Sequence, residues 1–294
     1  MSILTGKITT LRNMNFVINR KYFITVILLT NFVAIAQNSF DAQFNFAKKL
    51  YNDEKYFDTV TELKRLLFFE AKGEYNYQAN MLIGKSYKQG AKFSDAIRYI
   101  TLAELNAKNV DELYESRIEI IRINILRRTT GRAFKLLDSL EADKRFMDRK
   151  DEIKYWRGWA YMFADDWEQA AHTFADIDSN HVLKTLAEEV SDDLYSVTFA
   201  KTISYIIPGA GQIYTGEYIS GLLSLGWNVL WGYLTIKAFI AERVFDGIVI
   251  ANFLWLRFYR GNIQNAENFV LEKNLVRSNR ALNYLQFEYD GLKP

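Results

Sequence analysis

The sequence predicts an all-α fold: a solenoid of helical hairpins, then a transmembrane helical hairpin, then a C-terminal amphipathic helix. Three observations predict it. The 294 residues contain only two prolines, and proline is the residue that helix interiors reject. Small and large apolar residues recur with a period of 37 between residues 47 and 174. Residues 218–241 carry a single charge, Lys237, in a stretch long enough to cross a hydrocarbon core of about 30 Å.

The chain opens on an export pattern over residues 1–36. Lys7, Arg12, Arg20 and Lys21 precede the apolar run 22–33, which closes on Ala34-Ile35-Ala36, a small-x-small cleavage site. Met14 is a second candidate start. An uncleaved anchor is the alternative reading, although the apolar core is short for a span of about 20 residues. Both readings carry residue 40 onward to the far side of a membrane.

Residues 37–197 read as repeated hairpins. Thr59, Ala96, Ala133 and Ala170 stand 37 apart, and four positions later come Leu63, Ile100, Leu137 and Phe174. Twelve positions earlier stand Ala47, Gly84, Ile121 and Gly158; nine earlier stand Leu50, Tyr87, Asn124 and Tyr161. Two antiparallel helices that cross closely need a small side chain at the crossing and a large one beside it. Residues 181–196, with Leu183, Leu186, Ala187, Val190 and Leu194 at helical spacing, read as a capping helix.

The copies over 83–100 and 157–174 resemble tetratricopeptide (TPR) repeats. The period of 37 exceeds that family's usual 34, and the third copy departs from the pattern at Ile121, Asn124 and Thr130. The resemblance implies a concave groove made by the first helix of each pair. Its positions here would be Met81, Lys85 and Lys88, then Ile118, Arg122 and Ile125, then Tyr155, Trp159 and Met162. The implied occupant is a protein or peptide segment.

Residues 198–260 read as a membrane domain, with spans at about 218–241 and 244–259. The second span is interrupted by Asp246 and Arg257. A half-helix ends at Pro208, and an elbow follows over 208–216. The elbow, Pro208-Gly209-x-Gly211-Gln212-x-Tyr214-x-Gly216, resembles the P-G-x-G-Q-x-Y-x-G signature of two-span bacterial membrane domains of the TM2-like group. That resemblance implies embedding in a bilayer without a defined activity. Physically, the glycines make a tight turn whose backbone groups need partners, which Gln212 and Tyr214 can supply. An alternative use is a lipid headgroup or small anion held in the glycine nest. Residues 261–294 read as an amphipathic helix whose inward stripe is Leu271, Leu275, Ser278, Leu282, Leu285 and Tyr289.

Composition excludes several chemistries. The absence of cysteine removes disulfides, thiolate zinc sites and a cysteine nucleophile. A net charge of +2 with both signs interspersed gives no nucleic-acid footprint. His172 and His181 lack triad context, and no metal, cofactor or catalytic motif is present, so no catalytic residue and no cofactor are expected. The expected role is a membrane-tethered adaptor recruiting another envelope protein, on the inner membrane of a bacterium with its repeats in the periplasm. The alternative is a lipid- or small-ligand-handling protein working through the elbow. Orientation rests on the export pattern, because the positive-inside rule pulls the other way: Lys237 and Arg243 flank the hairpin turn against Lys201, Arg257 and Arg260.

Overall fold

The computed structural model describes residues 39–294, and the export pattern expected over 1–36 lies outside the described residues. Those described are helical, with no strand among them. The chain divides into two compact units, one ending at Arg127 and the other beginning at Arg128. The division falls inside the repeated region.

The first unit contains α1 (39–52), α2 (Tyr56–Phe69), α3 (Asn76–Gln89), α4 (Phe93–Leu105) and α5 (Val110–Leu126). From α2 to α5, each helix packs on the next. The second unit begins with α6 (Thr130–Ala142), a 3-10 turn at Lys144–Arg149, α7 (Lys150–Phe163), α8 (Trp167–Ala175) and α9 (Val182–Asp193). It continues with α10 (Val197–Ile206), α11 (Ala210–Tyr214), α12 (Tyr218–Ile240) and α13 (Val244–Val249). A π-helical segment at Ile250–Trp255 leads into α14 (Leu256–Glu288).

The 37-residue spacing has a packing cause. Thr59, Ala96, Ala133 and Ala170 are fully buried, as are Leu63, Ile100, Leu137 and Phe174. A Cβ on Gly84 would lie 2.3 Å from Ile100 Cγ1, and one on Gly158 would lie 2.5 Å from Phe174 Cζ. In each pair the large side chain of the second helix sits directly over the glycine of the first, so nothing bigger than hydrogen fits.

The turns repeat as well. Glu54, Ala91, Arg128 and Asp165 are left-handed, with φ of 60°, 55°, 57° and 61°, and each stands 37 residues from the next. Where the following amide closes the turn it reaches back five residues: Lys55 N to Leu50 O at 2.9 Å, Lys92 N to Tyr87 O at 2.9 Å, Asp166 N to Tyr161 O at 3.0 Å. This is a Schellman-type helix stop, which satisfies carbonyls that the helix end leaves open. The same closure recurs at Gly216 and at Glu242, through Glu217 N to Gln212 O at 2.8 Å and Arg243 N to Ala238 O at 2.9 Å.

α12 packs along α13, the π segment and the start of α14, forming a helical hairpin. Small residues set its spacing: Gly232 faces the Trp255 ring and Gly247 faces the Phe239 ring. The helix expected to begin after Gly261 is continuous with the second arm, because α14 runs for 33 residues without a stop. Its buried face matches the expected stripe at Ser278 and Leu285 but departs from it nearer the elbow. Asn262, Ala266, Val270, Ser278, Ala281 and Leu285 point inward, whereas Leu271 and Leu275 are 53% and 47% exposed. Asn262 and Ala266 of that face lie beside the elbow.

Two substitutions in the first unit should have opposite signs. Ala91→Gly relieves a left-handed alanine and is expected to stabilise by about 1 kcal/mol. Gly84→Ala overpacks the α3–α4 crossing and is expected to cost about 1–3 kcal/mol. Urea denaturation of both variants against the parent measures each.

Candidate functional site

The elbow is built around Asn262 (2% exposed), which sequence reasoning did not single out. α10 stops at Ile206, and Ile207 is extended, as the residue before a proline prefers to be. Gly209 then turns the chain at φ 94° into α11. A Cβ on Gly209 would stand 2.1 Å from the Gly221 carbonyl oxygen, and one on Gly221 would stand 2.7 Å from the Gly209 carbonyl oxygen. The two backbones touch. Gly211 is equally confined, facing Ser204 Oγ, Ala200 O and Ala266 Cβ.

Asn262 bonds to every element that meets there. Its Oδ1 accepts from Gly209 N at 2.7 Å, Gln212 Nε2 at 3.0 Å and Ser224 Oγ at 2.9 Å. Its Nδ2 donates to Ser204 O at 3.1 Å, and its own carbonyl accepts from Gln212 Nε2 at 3.1 Å. Gly211 N donates to Ser204 Oγ at 3.0 Å, and Ala210 N to Ile207 O at 3.0 Å. Of the expected partners, Gln212 is therefore a structural donor. Tyr214 accepts from Ser196 N at 3.2 Å, with its ring set edge-on between Tyr195 and Phe199. Pro208 is half-buried and Gly216 is exposed. The amides of Gly209, Ala210 and Gly211 are engaged inside the protein, so this nest offers an anion none of those three donors.

In the first unit, the cations expected in the groove on α3 and α5 are held by two glutamates of α5. Met81 and Ile118 are each 5% exposed. Lys85 Nζ meets Glu115 Oε1 at 2.8 Å, Lys88 Nζ meets Glu119 Oε1 at 2.8 Å, and Arg122 Nη1 meets Glu119 Oε2 at 2.7 Å. Tyr77 OH adds a bond to Glu115 Oε2 at 3.0 Å. The glutamates were missed because a partner 30 or 31 residues away becomes visible only once the hairpin pairing is known. Burial pushes the Lys88 ammonium down, against the opposing pull of Glu119. Burial alone would raise the Glu119 carboxyl, but Lys88 and Arg122 together hold it below the usual carboxylate range.

In the second unit, Tyr155 and Trp159 are covered from within the same unit. Tyr155 OH donates to Leu292 O and lies 3.3 Å from Tyr289 OH, and the Tyr289 ring stands 6.1 Å from that of Trp159. α14 docks beside them: Trp167 Nε1 donates to the buried Ser278 Oγ at 2.8 Å. Asn274 clasps the Tyr195 backbone in both directions at 2.9 Å. His181 caps α9, its Nδ1 accepting from Leu183 N at 3.1 Å, and stacks on Phe174 at 5.0 Å. Burial pushes the His181 imidazole down, offset in part by Asp178.

Among the described residues no cluster of three His, Cys, Asp or Glu side chains is arranged to hold a metal. No known protein family, curated protein or solved structure matches the chain.

Glu119→Gln strands the buried Lys88 and is expected to cost about 3 kcal/mol or more, measured by denaturant titration. The His181 cap works only while the imidazole is neutral. Its folded pKa lies below the unfolded value near 6.5, so its contribution is complete above that pH and is lost as pH falls through the lower, folded value. Thermal melts at pH 7.5 and 5.5 should therefore show an acid-side loss that His181→Asn, a pH-insensitive cap, reduces.

Proposed function

We propose that the chain is a membrane-tethered TPR-like scaffold that recruits another protein or peptide segment at the bacterial envelope. Its hairpin, resembling the TM2-like group, holds it in the inner membrane, and its repeats face the periplasm. The observation that carries this reading is the surface of α12. The helix is 23 residues long, about 35 Å at the usual rise. In its most apolar window only 22% is buried, whereas the core helix of a soluble protein would be mostly covered. Ile219, Leu222, Leu223, Val229, Leu230 and Tyr233 are exposed along it. Phe245, Ile248 and Phe253 extend the apolar surface along the other arm. A patch of this extent is unlike a soluble monomer's surface, and lipid would remove it from water.

The recruiting surface is the rim of the α3–α5 groove. Lys85 and Glu115 keep 30% and 52% of their side chains exposed, so a partner can compete for them without breaking the buried Glu119 pairs. The elbow serves as the joint of the tether. The rival use of the elbow as a ligand site is disfavoured, because the amides of Gly209, Ala210 and Gly211 are already taken by Asn262, Ile207 and Ser204.

Alkaline carbonate extraction of native membranes should leave the protein in the pellet; release into the supernatant would sink the tether. A photo-crosslinking residue at position 85 or 115 should give a discrete protein adduct in those membranes, and its absence at both positions would remove the scaffold role. Alkaline phosphatase fused after Pro294 should be active; an inactive fusion beside a fluorescent cytoplasmic one reverses the orientation.

A further inference from the structure

The charges around the elbow end of the hairpin are mostly paired. Lys201 Nζ meets Glu267 Oε2 at 2.8 Å, Lys273 Nζ meets Glu217 Oε1 at 2.8 Å, and Arg277 Nε meets Asp193 Oδ2 at 3.1 Å. At the opposite end, Arg243 pairs with Asp246, and Lys237 lies over the Tyr233 ring. Two arginines of the second arm remain outside this pairing. Arg257 and Arg260 are both exposed on α14, and neither makes an ion pair or hydrogen bond with any described residue.

Their setting explains why. Residues 247–266 contain no Asp or Glu, so Arg257 and Arg260 are the only charged side chains in that stretch. Three positions apart on a helix, they project toward the same side, about 5–6 Å apart at Cβ. Phe253, Leu256 and Phe258 beside them are exposed apolar groups, and Gln264, exposed one turn further on, begins the polar end. Arg257 lies five residues toward the hairpin turn from Asn262, about 7 Å along the helix axis. An arginine placed there, with its stem along apolar surface, extends its head toward the polar end.

We propose that Arg257 and Arg260 form a binding site for the phosphate groups of anionic phospholipids at the elbow face of the bilayer. The site rests on the tether reading of the hairpin. The guanidinium fork matches phosphate oxygens in paired hydrogen bonds, and no carboxylate in that stretch of the chain competes for it. The lipid source is favoured over free phosphate because exposed aromatic and aliphatic side chains flank both arginines, where acyl chains would lie.

The test is co-flotation of the full chain with vesicles of phosphatidylcholine alone or with phosphatidylglycerol added, followed by tryptophan fluorescence from the bound fraction. The parent should insert into both, with a blue shift, and bind the anionic vesicles about 30-fold more tightly at low salt, a gain that added salt erodes. Arg257→Gln/Arg260→Gln should still insert but lose most of that preference. Arg257→Lys/Arg260→Lys should keep most of it, and Lys237→Gln should leave it unchanged. Millimolar inorganic phosphate should not compete. Retained preference in the glutamine pair, its loss in the lysine pair, its loss in Lys237→Gln, or displacement by free phosphate would each overturn the lipid site. Insertion into neutral vesicles without any anionic preference would overturn this site alone. Failure to insert into either vesicle would overturn the tether itself.

Discussion

The backbone of Gly209 lies directly against the backbone of Gly221, and the second unit is organised around that contact. Two chain segments this close leave no room for side chains between them, so their polar groups must be satisfied from the flanks. Asn262 does this for Gly209, Gln212 and Ser224 with one carboxamide oxygen, and for Ser204 with its nitrogen. Each buried donor left without its acceptor would cost about 1–3 kcal/mol. Position 262 is thereby restricted to a side chain that both accepts and donates. Asn262 also ties α14 to this contact, and the same helix carries Ser278 and Asn274 to Trp167 and Tyr195.

The first unit relies on a different balance. Its helices close over glycine and alanine, which leaves the charged residues of α3 and α5 to meet one another. Glu119 sits between Lys88 and Arg122 at 5% side-chain exposure, so the ion pairs are interior joints. The buried carboxylate is tolerated because each of its oxygens is bonded to a cation, Oε1 to Lys88 and Oε2 to Arg122. What remains for outside contact is the outer pair, Lys85 and Glu115.

Much of the helical packing was legible in the sequence, for a local reason. A close crossing demands a small residue on one helix and a large one sixteen positions on, in the next helix, and that demand repeats in one dimension. Gly84 with Ile100, and Gly158 with Phe174, follow from it. The proline and glycines of the elbow were legible too, because they are needed by the backbone itself. The partners of Lys88 and Gln212 were not, since Glu119 and Asn262 lie 31 and 50 residues away and nothing local marks them. The leucine stripe misled for a related reason. Leu271 and Leu275 obey helical spacing, but there the inward face runs through Ala266 and Val270 and meets the stripe only at Ser278 and Leu285. Spacing alone also gave no sign that the second arm and the final helix are one element.

That continuity has a mechanical consequence. From Leu256 to Glu288 there is no break in the helix, and it carries Arg257 and Arg260 near one end and the Trp167–Ser278 bond toward the other. A rigid rod cannot pivot at one end and stay still at the other. Any reorientation of the hairpin is delivered as leverage on α7, α8 and α9.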